Sequence, residues 1–200
     1  MHSAQIQFRE NLNRCRELGG LAIAVQKITT SAIDVSDLWR AQIVLVVSAL
    51  DHFIHELARL GMIESAKGNR PKTDAYLRFD MPLAATESAL KGISHEVWVG
   101  ETVREKHSWQ SFQDPDKLAD AIRLISAIKL WESVGAELGL QSKDVKIRLK
   151  LIVDRRNQIA HEADLDPSSP GFRWPIDAKL VNDTVDFVEQ VGDAVFKVAV

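Results

Sequence analysis

Arg156, Asn157 and His161 lie close together near the C-terminal end of the chain, and they are side-chain types that can act on a phosphate. Cleavage of RNA without a metal needs a base for the 2′-hydroxyl proton, an acid for the departing 5′-oxygen and positive charge beside the phosphate. A histidine can supply the proton transfers, and an arginine can supply the charge. Because one histidine per chain is awkward for both transfers, the chemistry favours a site made by two copies related by a two-fold axis.

These three residues lie on a predicted helix that begins at Ser142. Its apolar stripe, at steps of three and four residues, is made of Val145, Leu149, Ile152 and Ile159. Arg156 falls in phase with this stripe, so its charge needs a partner or a groove. Asn157 and His161 are four residues apart and therefore share a neighbouring side of the helix. We expect the cation, the amide and the imidazole to converge.

The stretch 143–156 is locally basic, with six lysines and arginines against two aspartates. The whole chain, in contrast, has a formal net charge of -3, which argues against coating nucleic acid by bulk attraction. The local charge suits an anionic ligand, but a solvated helix face has the same composition equally often. An arginine and a histidine near a helix end also commonly cap carbonyls or pair with carboxylates, and this structural interpretation stays open.

Composition predicts one helical domain over residues 1–200. A length of 200 residues with 46% hydrophobic content is enough for a core without disulfides, and the single Cys15 reads as a small core residue. The apolar run Ile43–Leu50 is only eight residues long, far short of a membrane span of ~20 residues. The first ten residues do not read as a secretory signal, so a cytoplasmic location is expected.

Periodicity and end signals predict an all-α, up-and-down bundle with an irregular helical insertion in the middle third. The predicted helices run from Ala4 to about Ile28, from Asp34–Asp37 to Gly61, roughly from Pro82 to Arg104, from Asp114-Pro115 to Gly139 with a break near Ser126–Lys129, from Ser142 to before Asp164, and through Val181–Val195. The five tryptophans are scattered and are predicted to be core or interface anchors rather than a stacking platform for bases.

Three segments of the chain resemble a known family. The string Arg155–Glu162, RRNQIAHE, resembles the signature of the HEPN superfamily, in which an arginine followed by a polar residue precedes a histidine by four to six residues. The stretch Val46–Glu56 resembles the early helix of the RiboL-PSP-HEPN branch, and Ser108–Pro115 resembles its pre-helix segment. The three segments occur in the expected order, whereas residues 61 to 107 match poorly.

The resemblance implies a HEPN-like bundle that acts as a metal-independent endoribonuclease in toxin–antitoxin or antiviral (phage) defence systems. Arg156 and His161 are then the catalytic pair, and Asn157 is an orienting residue. Arg155 is a competing choice because its distance from His161 also falls within the family's range, although the asparagine that follows Arg156 favours Arg156. Asp51, on the early helix, is expected to hold the site arginine, and a plain surface charge is the alternative.

The same resemblance implies RNA as the substrate, a homodimer, and an antitoxin protein as a partner where the chain is a toxin. Some family members keep the fold without nuclease activity, so the alternative is an inactive HEPN-like module that binds RNA, a nucleotide or a partner protein. We predict no cofactor and no metal. His52, His55 and Glu56 crowd one helix, but they lack the His-Glu-x-x-His order of zinc hydrolases.

Overall fold

The computed structural model describes residues 1–30 and 33–200. Within these ranges the chain is 72% helical and contains no strand, so the prediction of an all-α bundle is confirmed. The helices are α1 (His2–Ile28), α2 (Ser36–Ala66), α3 (Asp74–Leu77), α4 (Leu83–Leu90), α5 (His95–His107), α6 (Pro115–Arg123), α7 (Leu130–Leu138), α8 (Ser142–His161) and α9 (Ala178–Ala199). None of the described helices has the length and apolar character needed to cross a bilayer.

Helix α2 lies at the centre of the bundle and packs against α1, α5, α6, α8 and α9. It is apolar on nearly every side in its first half, and a helix of this kind is stable only when it is surrounded by other elements. Ile43, Val46, Val47, Leu50 and Ile54 are all buried there. Neighbouring helices therefore hold α2 in place on several sides, and they also hold any polar side chain that α2 carries.

The end of α2 corrects one expectation. The helix was predicted to end at Gly61, but it continues to Ala66. A Cβ atom on Gly61 would lie 2.8 Å from Cβ of Ile125, so the glycine allows close packing inside the helix instead of ending it. Gly61 therefore indicates a close contact between α2 and Ile125 and does not indicate the end of the helix.

The middle third is an irregular set of short helices, α3 to α5, as expected. The single helix predicted from Pro82 to Arg104 was wrong, however, because the chain breaks between α4 and α5. Gly92 lies at this break with a φ of 75°, a left-handed conformation that a helix cannot contain. The turn leaves α5 free to pack against α2.

End signals were more reliable around α6 and α7. Asp114 caps α6 by accepting hydrogen bonds from the Asp116 and Lys117 N–H groups, and Pro115 is the first helical residue, as predicted. Gly139, with a φ of 65°, follows α7 as the predicted helix end.

Cys15 is buried, as are Trp39 and Trp131, whereas Trp109 is 80% exposed and does not serve as a core anchor.

Substitution of Gly192 on α9 tests the packing of the bundle. A Cβ there would lie 2.6 Å from Cζ of Phe8, which is buried and stacked on Phe53 with 4.7 Å between ring centroids. We expect Gly192→Ala to lower the free energy of unfolding by about 1–3 kcal/mol, because Phe8 has to move. Gly20→Ala on α1, with nothing within 4 Å of its Cβ, is the control and should raise stability by up to ~1 kcal/mol. Urea denaturation that finds both variants equally stable would contradict this packing.

Candidate functional site

Helix α8 ends at His161 in a tight left-handed turn. The φ angles of Ala163 and Asp164 are 51° and 59°, and the Asp164 N–H donates to the Gln158 carbonyl over 3.1 Å. This backbone conformation is unfavourable for alanine by roughly 1–2 kcal/mol. The turn therefore needs stabilising contacts, and the side chain of Asp164 makes them.

Asp164 forms a buried ionic cluster with Arg40 of α2 and Arg155 of α8, which we call the Asp164 cluster. Asp164 has no exposed surface, and its Oδ2 atom accepts from Arg40 Nε at 2.7 Å and from Arg155 Nη2 at 2.9 Å. An ionised carboxylate in such a position is stable only when it is paired and hydrogen-bonded. Both arginines are therefore engaged by one carboxylate.

The same arginines hold the loop between α8 and α9. Arg40 Nη2 donates to the Trp174 carbonyl at 2.9 Å, and Arg155 Nη2 donates to the Pro175 carbonyl at 3.2 Å. The Trp174 N–H in turn donates to the Asp164 carbonyl at 2.9 Å. The segment that contains Trp174 and Pro175 is thus bound to both α2 and α8.

Arg155 is consequently a structural cation in this geometry. Burial lowers the pKa of Arg155, an effect that the nearby Asp164 carboxylate opposes. Freeing the guanidinium for an RNA phosphate would leave Asp164 with one fewer partner in a buried position. Of the two adjacent arginines considered from the sequence, Arg155 is the one already occupied.

Arg156 is different, although it is adjacent in sequence. Its Nη1 donates to Asn157 Oδ1 over 3.1 Å, and no carboxylate of the described residues lies within ion-pair distance. Its Nε is buried and has no hydrogen-bond partner in the described part of the chain. No acidic side chain among the described residues therefore balances the charge of Arg156.

The structure brings Arg156 and Asn157 together, but not His161. His161 is exposed at the last position of α8 and forms no hydrogen bond or ion pair with Arg156 or Asn157. A separation of five residues turns a helix by about 140°, so the two side chains leave α8 in different directions. Among the described residues, a hydrogen bond joins the cation to the amide, and none joins the imidazole to either of them.

Asp51 lies elsewhere. Its Oδ1 accepts from the Phe112 N–H at 2.6 Å and lies 3.9 Å from His55 Nε2. Because no ion pair joins it to Arg155 or Arg156 in the ranges that the structure describes, the expected pairing with the site arginine was wrong. Asp51 instead fixes the segment that precedes α6.

Sequence reasoning missed Arg40 and Asp164. Arg40 did carry a signal, because it stands in an apolar run on a helix predicted to be central. Asp164 carried none: it begins a stretch of Asp, Pro and Ser that reads as an ordinary loop. Its importance follows only from the fold, which returns it to a helix 124 positions away.

A second group of polar residues lies at the end of α5. His107 is only 4% exposed and is packed against Phe112, Phe79 and His55. Burial, with a smaller effect from His55, lowers the pKa of His107 from 6.5 to about 4. The ring is therefore neutral at physiological pH.

Among the described residues, no group of three or more His, Cys, Asp or Glu side chains is placed to hold a metal ion.

Removing the charge of Asp164 tests the cluster. We expect Asp164→Asn to lower the free energy of unfolding by about 3 kcal/mol, because two arginines lose their counter-charge. Asparagine tolerates the left-handed backbone as aspartate does, so the substitution isolates the charge. Glu162→Gln, an exposed neighbour, is the matched control and should change stability by less than ~0.5 kcal/mol. Chemical denaturation that finds Asp164→Asn as stable as this control would rule out the structural role.

The buried His107 predicts a pH dependence of stability. Below pH 6.5 the unfolded chain protonates this ring while the folded chain does not until about pH 4, so stability falls as the pH falls. Between pH 7.5 and pH 5 the loss from this residue is roughly 2 kcal/mol. His107→Phe should remove that part of the loss, as measured by urea denaturation at both pH values. An identical loss in wild type and variant would mean that His107 is not buried as a neutral ring.

Comparison with known proteins bears on this geometry. A family model described as RiboL-PSP-HEPN matches residues 9–200, which is most of the chain. No match was found among the curated proteins or the solved structures. HEPN domains often bind RNA and dimerise, and the match indicates a nuclease-like or RNA-related module. The chain, with its helical bundle and its Arg-Asn…His segment at the end of α8, belongs to the RiboL-PSP-HEPN family.

Proposed function

We propose that this protein is a metal-independent endoribonuclease whose active site forms between two copies of the chain. The observation that carries the proposal is that the two adjacent arginines differ in their ion pairs. Arg155 is occupied by Asp164, whereas Arg156 has no carboxylate partner among residues 1–30 and 33–200. An unbalanced arginine beside a hydrogen-bonded amide fits an anionic ligand, and family membership makes RNA the natural one.

Each residue then has a definite task. Arg156 binds the scissile phosphate and stabilises the charge that gathers on it, and Asn157 orients the guanidinium. One His161 removes the 2′-hydroxyl proton, and a second protonates the 5′-oxygen as the P–O5′ bond breaks. The products are a 2′,3′-cyclic phosphate and a 5′-hydroxyl, and no water or metal enters the cleavage step.

The helix geometry supports a site shared between two copies. Arg156 and His161 of one chain point about 140° apart around α8, so His161 of a second copy is better placed to approach a phosphate on Arg156. A two-fold contact between the C-terminal ends of two α8 helices would bring His161 of each copy to Arg156 of the other.

The biological setting is part of the same proposal. We take the chain to be one domain over residues 1–200, acting in the cytoplasm as a toxin or an antiviral-defence component, with an antitoxin as partner in the first case. Control of such an enzyme needs only that the partner cover His161 or separate the two copies.

An inactive binding module is the alternative function. One observation favours it: within the described part of one chain, no hydrogen bond joins Arg156 to His161. A chain that stays monomeric would still offer the Arg156 charge to RNA, to a nucleotide or to a partner protein, but it would lack a complete catalytic set. The oligomeric state therefore has to be measured with activity.

Cleavage of RNA in EDTA tests the proposed function. Purified wild type, at a concentration where size-exclusion chromatography with light scattering finds a dimer, should cleave a mixed RNA pool and leave 2′,3′-cyclic phosphate and 5′-hydroxyl ends. Arg156→Ala and His161→Ala should each lower the rate at least ~100-fold, as expected for the loss of a group that acts in the transition state.

A control substitution separates loss of activity from loss of charge. Arg14→Ala removes an exposed cation from α1 and should change the rate less than ~10-fold. A folded wild-type dimer that cleaves none of several RNAs would contradict the nuclease proposal and favour the binding module. Cleavage that survives His161→Ala would contradict the assignment of the proton transfers.

A further inference from the structure

Three neighbouring clefts run along one surface of the bundle. The largest, about 760 Å³, lies between α3, α6 and α7. A second, of about 610 Å³, lies at the start of α8 and shares the lining residues Ser142 and Lys146 with the first. A third, of about 410 Å³, lies at the end of α5 and shares Ala75 and Arg78 with the first. The shared residues join the clefts into one groove, which we call the basic groove.

The basic groove is positive although the protein is negative. Its lining contains eight cationic and five acidic side chains, against a net charge of -3 for the whole chain. The cations are Lys72, Arg78, Lys106, Arg123, Lys129, Lys143, Lys146 and Lys150, and the acids are Asp74, Asp80, Asp114, Asp116 and Glu132. Charge of one sign concentrated along a concave surface attracts an extended anion.

Several of these cations are not neutralised by neighbours. Lys72, Arg78, Lys106 and Lys143 form no ion pair with any described residue, whereas Lys146 and Lys150 pair with carboxylates at the groove edge. Lys106 instead lies over the Phe79 ring, with Nζ 5.4 Å from its centroid. The unpaired cations line all three clefts, as expected for contacts with successive phosphates.

The third cleft adds an aromatic surface. Trp109 lines it and is 80% exposed, an unusual position for so large an apolar ring. His107 lines the same cleft, and its buried Nδ1 has no hydrogen-bond partner among the described residues. An exposed indole beside cations is suited to stacking one unpaired base.

The groove also lies in register with the proposed cleavage site. Lys143, Lys150 and His161 share one side of α8, because separations of 18 and 11 residues bring helix positions back to within about 20° of each other. Lys150 and His161 are about 16 Å apart along the axis. A strand that leaves His161 along the exposed side of α8 therefore enters the groove at Lys150.

We propose that the basic groove binds single-stranded RNA, with the phosphates of the strand along its cations and an unpaired base stacked on Trp109. The inference rests on the proposed function, since it takes RNA as the substrate, and it names the form of RNA that is recognised. An unpaired strand is required because the bases of a duplex are stacked on each other and cannot reach the indole.

Binding of a fluorescein-labelled, mixed-sequence 12-nucleotide RNA tests the groove. Fluorescence anisotropy is measured in the His161→Ala protein, so that the strand stays intact. Adding Lys72→Glu with Arg78→Glu should weaken binding at least 10-fold and lower the slope of log K against log salt by about 1.4, the value for two lost contacts with a single strand. Adding Trp109→Ala should weaken binding at least ~5-fold with little change in the salt slope.

The matched control makes the same charge change elsewhere. Arg14→Glu with Lys27→Glu alters two exposed cations on α1 that form no ion pair in the described structure. This pair should change the affinity less than ~3-fold if the groove is the binding site. An equal loss in both double variants would overturn the groove, because attraction would then depend on net charge alone.

Two further outcomes separate the groove from the nuclease proposal. If wild type cleaves RNA while the groove variants bind it normally, the groove inference fails and the proposed function stands. If wild type never cleaves RNA but the groove variants lose binding, the groove stands without the nuclease. Displacement of the RNA by an equal concentration of a 12-residue polyglutamate, with no effect of Trp109→Ala, would identify an acidic-peptide surface and overturn the inference.

Discussion

The carboxylate of Asp164 is the point on which the arrangement of this site depends. It is fully buried, so it must be paired, and its two partners come from the central helix α2 and from α8. The same interaction stabilises a left-handed turn that is otherwise unfavourable after α8. Once Arg155 is held in this way, the direction of Arg156 and the exposure of His161 follow from the helical repeat.

Spacing along a helix is the reason why we propose a catalytic site shared by two copies of the chain. Residues five apart cannot share a face, so an arginine and a histidine at this distance serve one phosphate most easily when two copies of the helix meet. The basic groove is the surface that we propose for the rest of the RNA strand. The net charge of the whole chain does not reveal this groove, because its cations are concentrated along three connected clefts.

Local signals predicted much of the fold. The apolar periodicity of α8 and α9, the Asp114-Pro115 start and the Gly139 end all reflect interactions within a few residues, and each is found in the structure. Gly61 was misread because its role is a contact with Ile125, which is distant in sequence. Asp164 was missed for the same reason: a polar loop residue becomes a buried anion only through Arg40, and no pattern near Asp164 contains that partner.

The central claim is that Arg155 supports the fold and Arg156 is free to act. It is tested most directly by the free energies of unfolding of Arg155→Met and Arg156→Met, measured side by side in urea, since methionine keeps most of the apolar stem and removes the charge. The account predicts a loss of about 2–4 kcal/mol for Arg155→Met, which weakens the pairing of a buried carboxylate, and a change below ~0.5 kcal/mol for Arg156→Met. Equal losses, or a larger loss at Arg156, would contradict it.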